Sequence, residues 1–300
     1  MIRASAPGSI MITGEHAVVY GHRAIVAAVE QRILVSLTPR ADRTVTITSE
    51  IAEPLETTLD QMGSDGPYRF ILAAISGFKE HLKSGFDLNI TSQINPTLGL
   101  GSSAAVTIAA LGAIARFSGQ ETENLHATAH GIIQRIQGRG SGADLAASLT
   151  GGMLAYQAPP NAQLIPLPQP PQLSLRYCGY KTPTGEVLQR IAERMQGNET
   201  AFEALYGRMG REAERAISLA LAQDWPAFGT SLTAYQGLME ELGVCDDVLA
   251  GIISGAADTS GLLAAKISGS GLGDCVVALG EVPDGFEPVT LATEGLTIDD

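Results

Sequence analysis

Four glycine-bearing segments hold most of the residues able to do chemistry. "APGSIMITGEHAVVYG" (6–21) sets a carboxylate and an imidazole, Glu15 and His16, in a turn between apolar runs. "NPTLGLGSSAA" (95–105) leads two glycines into two serines and a run of small apolar residues. "GRGSGADLAASLTGG" (138–152) carries Asp144 three residues after Ser141. "KISGSGLGDC" (266–275) alternates glycine with other residues between two strand-like runs. Each segment also has a plain reading. Glu15 and His16 suit a polar surface turn, and Ser102 and Ser103 suit an N-cap. Ser141-x-x-Asp144 has capping-box spacing, with Asp in the usual place of Glu. A bulged hairpin explains the last segment.

The second segment has the most specific chemistry. Gly99 and Gly101 permit positive φ and let a ligand approach the backbone. Ser102 and Ser103 fall in the first turn of the following helix, where unpaired N–H groups and the helix dipole favour an anion. A serine hydroxyl there can also ligate Mg²⁺. Gly99-x-Gly101-x-x-Ala104 fits the dinucleotide pattern as well. That pattern expects a following parallel strand ending in an acidic residue about 20 positions on. Glu121 and Glu123 instead lie in "SGQETENLHATAHGI", which reads as a loop entering another helix. The dinucleotide is therefore disfavoured, and the Gly-Lys-Ser/Thr of a Walker loop is missing. Asp144, in a glycine-rich loop at a helix start, can orient or deprotonate a substrate hydroxyl.

The elements that must position these residues follow from periodicity. Residues 1–50 read as strands: "IRASA", "IMIT", "AIVAAVEQRILVSLTP" and "TVTIT". Helical spacing covers 66–83, and alternation marks a strand over 86–94. Helices are expected after the Gly99–Gly101 turn, over about 121–137, and from near Ser141. Residues 158–172 hold six prolines and read as a linker. Beyond it come a strand, "LSLRYCGY", helical patterns to about residue 258, and a closing hairpin. The chain is thus expected to be α+β with two lobes, 1–157 and 173–300, joined by 158–172.

Bulk composition narrows the partners. The 300 residues are 45% hydrophobic and carry a net charge of −13. No basic patch suggests nucleic acid, and no apolar window is long enough for a membrane span. Three scattered cysteines suit a reducing cytoplasm. With only four lysines, an anionic ligand must be held by backbone N–H groups, helix ends and metal ions.

Taken together and in this order, the segments resemble the motifs of the GHMP kinase superfamily, across nearly the full length. The Gly-Glu-His-Ala-Val-Val-Tyr-Gly core is most similar to its mevalonate kinase branch. The resemblance implies an N-terminal S5-like α+β lobe and a C-terminal ferredoxin-like α+β lobe. It also implies ATP-dependent phosphorylation of a hydroxyl on a small molecule, with ATP and Mg²⁺ required. It puts the nucleotide at Gly99, Leu100, Gly101, Ser102, Ser103, Ala104, Gly269 and Gly271, with Ser102 or Ser103 on the metal. Asp144 is the implied catalytic residue, and Glu15, His16, Ser141, Lys181 and Thr184 the implied substrate contacts. Mevalonate is the first expected acceptor. Phosphomevalonate or another GHMP substrate, and a catalytically inactive nucleotide-binding homologue, are the alternatives. A homodimer is compatible with the sequence. Two positions depart from the branch: Ser9 stands where a lysine is usual, and Ile133 where a metal-binding glutamate is usual. Lys181 or Arg139 is the expected replacement cation.

Overall fold

A computed structural model describes residues 1–95, 99–138 and 140–300 of the chain. Where two strands were expected at the start, one forms, β1 (Ile2–Thr13). Its register against β2 (Arg23–Pro39) shifts between Pro7 and Gly8. A bulge there keeps the strand continuous past a proline that has no N–H to donate. Next come β3 (Thr44–Ser49), β4 (Ala52–Thr58), α1 (Arg69–Phe78) and β5 (Phe86–Ser92). Three helices follow in a row, α2 (Ser102–Ser118), α3 (Leu125–Gln137) and α4 (Ala143–Thr150). The first lobe closes with β6 (Met153–Gln157) and β7 (Gln163–Leu167).

The second lobe begins with β8 (Leu173–Tyr177). Then come α5 (Thr184–Met195), α6 (Glu199–Leu221), α7 (Trp225–Leu242) and α8 (Asp247–Ala256). The strands β9 (Leu262–Ser268), β10 (Cys275–Gly280), β11 (Glu287–Val289) and β12 (Thr297–Asp299) end the chain. The first sheet runs β12-β1-β2-β5-β3-β4, with β6 also on β2 and β7 on β6. The second runs β11-β8-β10-β9 and is antiparallel.

Two expectations are corrected here. Part of the proline-rich stretch 158–172 is strand β7, which pairs only with β6. Pro166 is tolerated in it because an edge strand leaves one side without ladder bonds. The chain also returns to its starting lobe, since β12 pairs with β1.

The helix α2 is buried on nearly every side, from Ala104 to Ala115, as its run of small apolar residues requires. It lies behind β1 and β2, so the glycine turn at its N-terminus is carried on a rigid element. In the second lobe β10 alternates cleanly. Cys275, Val277 and Leu279 join the large core of the first lobe, whereas Val276 and Ala278 face the core under α5–α8. Among the described residues no helix is long and apolar enough to cross a membrane.

The lobes are tied by a buried ion pair. Lys266, on β9, places Nζ 2.6 Å from Glu15 Oε1, and both side chains are almost wholly excluded from solvent. The Tyr235 hydroxyl, from α7, donates to the Glu15 carbonyl at 2.7 Å. Ser268 Oγ donates to the Met11 carbonyl at 2.8 Å, and Arg23 Nε to Glu214 Oε1 at 2.6 Å. Removing one member of a buried pair leaves an uncompensated charge. Lys266→Met is therefore expected to lower stability by about 3–5 kcal/mol in urea unfolding. Adding Glu15→Gln to it should restore a large part of the loss. A single variant as stable as wild type would show that the pair does not hold the lobes.

Candidate active site

The bulge in β1 turns Ser9 toward the α2 turn. Its N–H donates to the Leu100 carbonyl at 3.1 Å, and its hydroxyl donates to Asp144 Oδ1 at 2.7 Å. Gly101 is left-handed, with φ of 64°, and a Cβ there would stand 2.1 Å from Ser9 Oγ. The contact itself thus demands glycine. The first intrahelical bond of α2 runs from Ala105 N to Gly101 O at 3.0 Å. The N–H groups of Ser102, Ser103 and Ala104 come before it and have no acceptor within the helix. The first turn of α2 itself contains no acidic residue.

Asp144 sits in the first turn of α4. The capping box that the Ser141-x-x-Asp144 spacing also allowed is not made. Gly142 is the N-cap, and Ser141 Oγ accepts from Ala143 N at 3.2 Å. The Ser141 carbonyl accepts from the Tyr156 hydroxyl at 2.6 Å, so Ser141 shapes the loop. His126 Nε2 donates to the Gly142 carbonyl at 3.0 Å, and His130 Nε2 to the Gly140 carbonyl at 2.8 Å. Spaced four residues apart on α3, the two rings meet the loop from one helix face. This bracing leaves Asp144 directed at Ser9. Burial pushes the Asp144 carboxyl above the ordinary aspartate value, opposed by the Ser9 hydrogen bond and the Lys181 ammonium. Asp274 pushes it in the same direction as burial.

Asp274 was not anticipated from the sequence. It is 8% exposed and left-handed, with φ of 65°. Its carboxylate occupies the space beside Gly99, where a Cβ would stand 2.7 Å from Asp274 Oδ1. Lys181 Nζ is 3.2 Å from the same oxygen. Lys181, one of the two candidate cations, therefore lies against Asp274. Arg139 lies outside the described residues, as do Pro96, Thr97 and Leu98 of the glycine-turn segment. The Asp in "GLGDC" was the available signal, masked by the glycines around it. Of those, Gly269 lies beside Asp274 Oδ2, and Gly271 packs against the Val244 carbonyl instead.

The remaining expected residues divide. Glu15 was expected to face an acceptor, but its Oε1 is engaged by Lys266 and the residue is 3% exposed. It bridges the lobes because a buried ammonium needs a buried carboxylate. His16, with φ of 61°, donates from Nε2 to the Ser270 carbonyl at 2.9 Å, joining the first and fourth segments. Thr184 stands exposed in the first turn of α5 and, among the described residues, has no hydrogen bond to this cluster. Ile133 is buried on α3, with Cγ2 2.9 Å from where a Gly140 Cβ would be. The position of the usual glutamate is thus apolar packing.

Two family models match the chain: the GHMP kinases N terminal domain over 69–152 and the GHMP kinases C terminal domain over 216–287. A mevalonate kinase of Thermococcus sibiricus is 30% identical over an alignment covering 100% of this chain and 98% of that one. The solved Lin0012 protein from Listeria innocua superposes with a TM-score of 0.89 at 22% identity, covering 100% and 99% of the two chains. Phosphomevalonate kinase from Streptococcus pneumoniae, solved with phosphomevalonate and AMPPNP, gives a TM-score of 0.78 at 16% identity, covering 93% and 92%.

The burial of His16 has a measurable consequence. Loss of solvent lowers its pKa from 6.5 to about 4, against the opposing effect of the Ser270 carbonyl. The unfolded chain then binds the proton more readily, so this contribution is complete above pH 6.5 and is lost as pH falls toward about 4. Thermal unfolding across that window should show a smaller acid-side decline in His16→Gln than in wild type. Parallel declines would contradict a neutral, buried His16.

Proposed function

As the chain belongs to the GHMP kinase family, we propose that it transfers the γ-phosphoryl group of ATP to a hydroxyl of mevalonate. One observation carries this reading. Asp144 is hydrogen-bonded to Ser9 directly beside the glycine turn that opens α2. This neighbourhood of a carboxylate and a helix N-terminus supports the reading of a base beside an anion-binding turn.

In this reading residues 1–157 hold the nucleotide and residues 173–300 contribute to the acceptor side. Gly99 to Ala104 receive the phosphates on their backbone N–H groups. Asp144 takes the proton of the attacking hydroxyl. The acceptor oxygen bonds to the γ-phosphorus, the bond from that phosphorus to the β,γ-bridging oxygen breaks, and ADP leaves. A carboxyl whose pKa is raised is the better base near neutral pH. The hydroxyls of Ser102 and Ser103 are hard oxygen donors of the kind Mg²⁺ prefers, and they fit that ion together with phosphate and water. When bound, Mg²⁺ neutralises charge on the β- and γ-phosphates.

Phosphomevalonate is the second reading. Ser9 and the buried Ile133 weigh against the first reading, since both depart from the mevalonate kinase pattern.

ADP release with Mg-ATP should be measured against mevalonate, phosphomevalonate, homoserine and galactose. Mevalonate is expected to give the highest kcat/KM; a clear preference for phosphomevalonate would replace the first reading by the second. Asp144→Asn should lower kcat by about 10²–10⁴-fold, and near wild-type turnover would remove Asp144 as the base. The acid limb of kcat/KM should lie above the ordinary aspartate value and move higher in Ser9→Ala, which loses the hydrogen bond favouring the ionised form. An unmoved limb would mean another group titrates.

A further inference from the structure

Two carboxylates, Asp144 and Asp274, stand beside the turn at the start of α2. A nucleotide triphosphate entering there adds several negative charges to a pocket already anionic. The residue bonded to Asp144 is a serine, which is uncharged. Among the described residues, Lys181 is the one cation whose charge acts on Asp144.

Lys181 is held in place from below. It lies in the segment after β8, and this segment is fastened to the loop before β10 by three bonds. Cys178 N donates to the Asp274 carbonyl at 3.0 Å, and Asp274 N donates to the Tyr180 carbonyl at 3.0 Å. Thr182 Oγ1 donates to the Leu272 carbonyl. Gly273 packs flat against Lys181, where a Cβ would stand 3.2 Å from the Lys181 Cα. With the backbone fixed, the Asp274 carboxylate holds the ammonium at 3.2 Å, while the side chain stays 42% exposed.

We propose that Lys181 supplies, from the second lobe, the positive charge at the transferring phosphoryl group, and that Asp274 is the residue that positions it. This rests on the kinase reading above. In that reaction the acceptor oxygen, the γ-phosphorus and the ADP oxygen carry the charge in motion, and an ammonium placed across them stabilises the transition state more than the ground state. Because the base comes from the first lobe and the cation from the second, the site is complete only when the lobes are docked.

Turnover with the preferred acceptor at saturating Mg-ATP tests this. Lys181→Met should lower kcat by about 10²–10³-fold with little change in KM for ATP. Lys181→Arg, which keeps the charge, should retain at least part of the lost rate. Asp274→Asn, a residue suited to the left-handed backbone, should lower kcat roughly tenfold. The double variant should be no slower than Lys181→Met alone, because Asp274 acts through Lys181. Wild-type kcat in Lys181→Met overturns the proposal. Losses that multiply in the double variant overturn the role of Asp274, which then touches phosphate or metal itself. Melting curves separate misfolding from these effects. A readout independent of turnover is the carboxyl carbon-13 titration of Asp144, which should move upward in Lys181→Met. An unmoved titration counts against the inference even if no acceptor is turned over, whereas an inert wild type with a moved titration counts against the kinase reading alone.

Discussion

The structure depends on the buried pair between Lys266 and Glu15. An ammonium and a carboxylate with almost no solvent contact are tolerable only when they stay together. Lys266 belongs to β9 and Glu15 to the turn after β1, so keeping the charges together keeps the lobes together. Burial lowers the pKa of Lys266, and the Glu15 carboxylate opposes that shift. The bonds from Tyr235, Ser268 and His16 gather around this pair and fix the angle at which the loop 269–274 meets β1.

From that angle the site geometry follows. The same loop carries Asp274 to the side of Gly99, and β1 carries Ser9 to the side of Gly101. The turn at the start of α2 is therefore gripped from both lobes, and two of its glycines are required by those contacts as well as by their positive φ. Such gripping holds in place a helix N-terminus whose first N–H groups have no intrahelical acceptor. An acidic chain with few lysines can still bind phosphate when oriented backbone dipoles provide most of the field.

Much of this was legible from residue order. The helix after Gly101, the run of helices that excludes a dinucleotide βαβ unit, the closing hairpin and the placement of Asp144 at a helix start all follow from periodicity and glycine spacing. Less legible were the short strands β4, β6, β7, β11 and β12, whose pairing is decided by partners far along the chain. Pro166 in β7 shows why: composition reported a breaker, whereas an open sheet edge made it harmless. The spacing of Ser141 and Asp144 likewise left a plain capping box open. In the fold the Asp144 carboxylate accepts instead from Ser9, 135 residues away along the chain.

Sequence by itself determined the kinds of chemistry present: a glycine turn entering a helix, an aspartate in a second glycine loop, and a shortage of positive charge. These are local properties, set by φ preferences, helix-end dipoles and composition. Only the tertiary structure decided which groups meet. Glu15 was drawn from a supposed acceptor contact into a lobe bridge by Lys266, and Asp274 emerged from among glycines to face Gly99 and Lys181. Pairing between charges depends on distance through space and on exclusion of water, and neither is written in the spacing of residues along the chain.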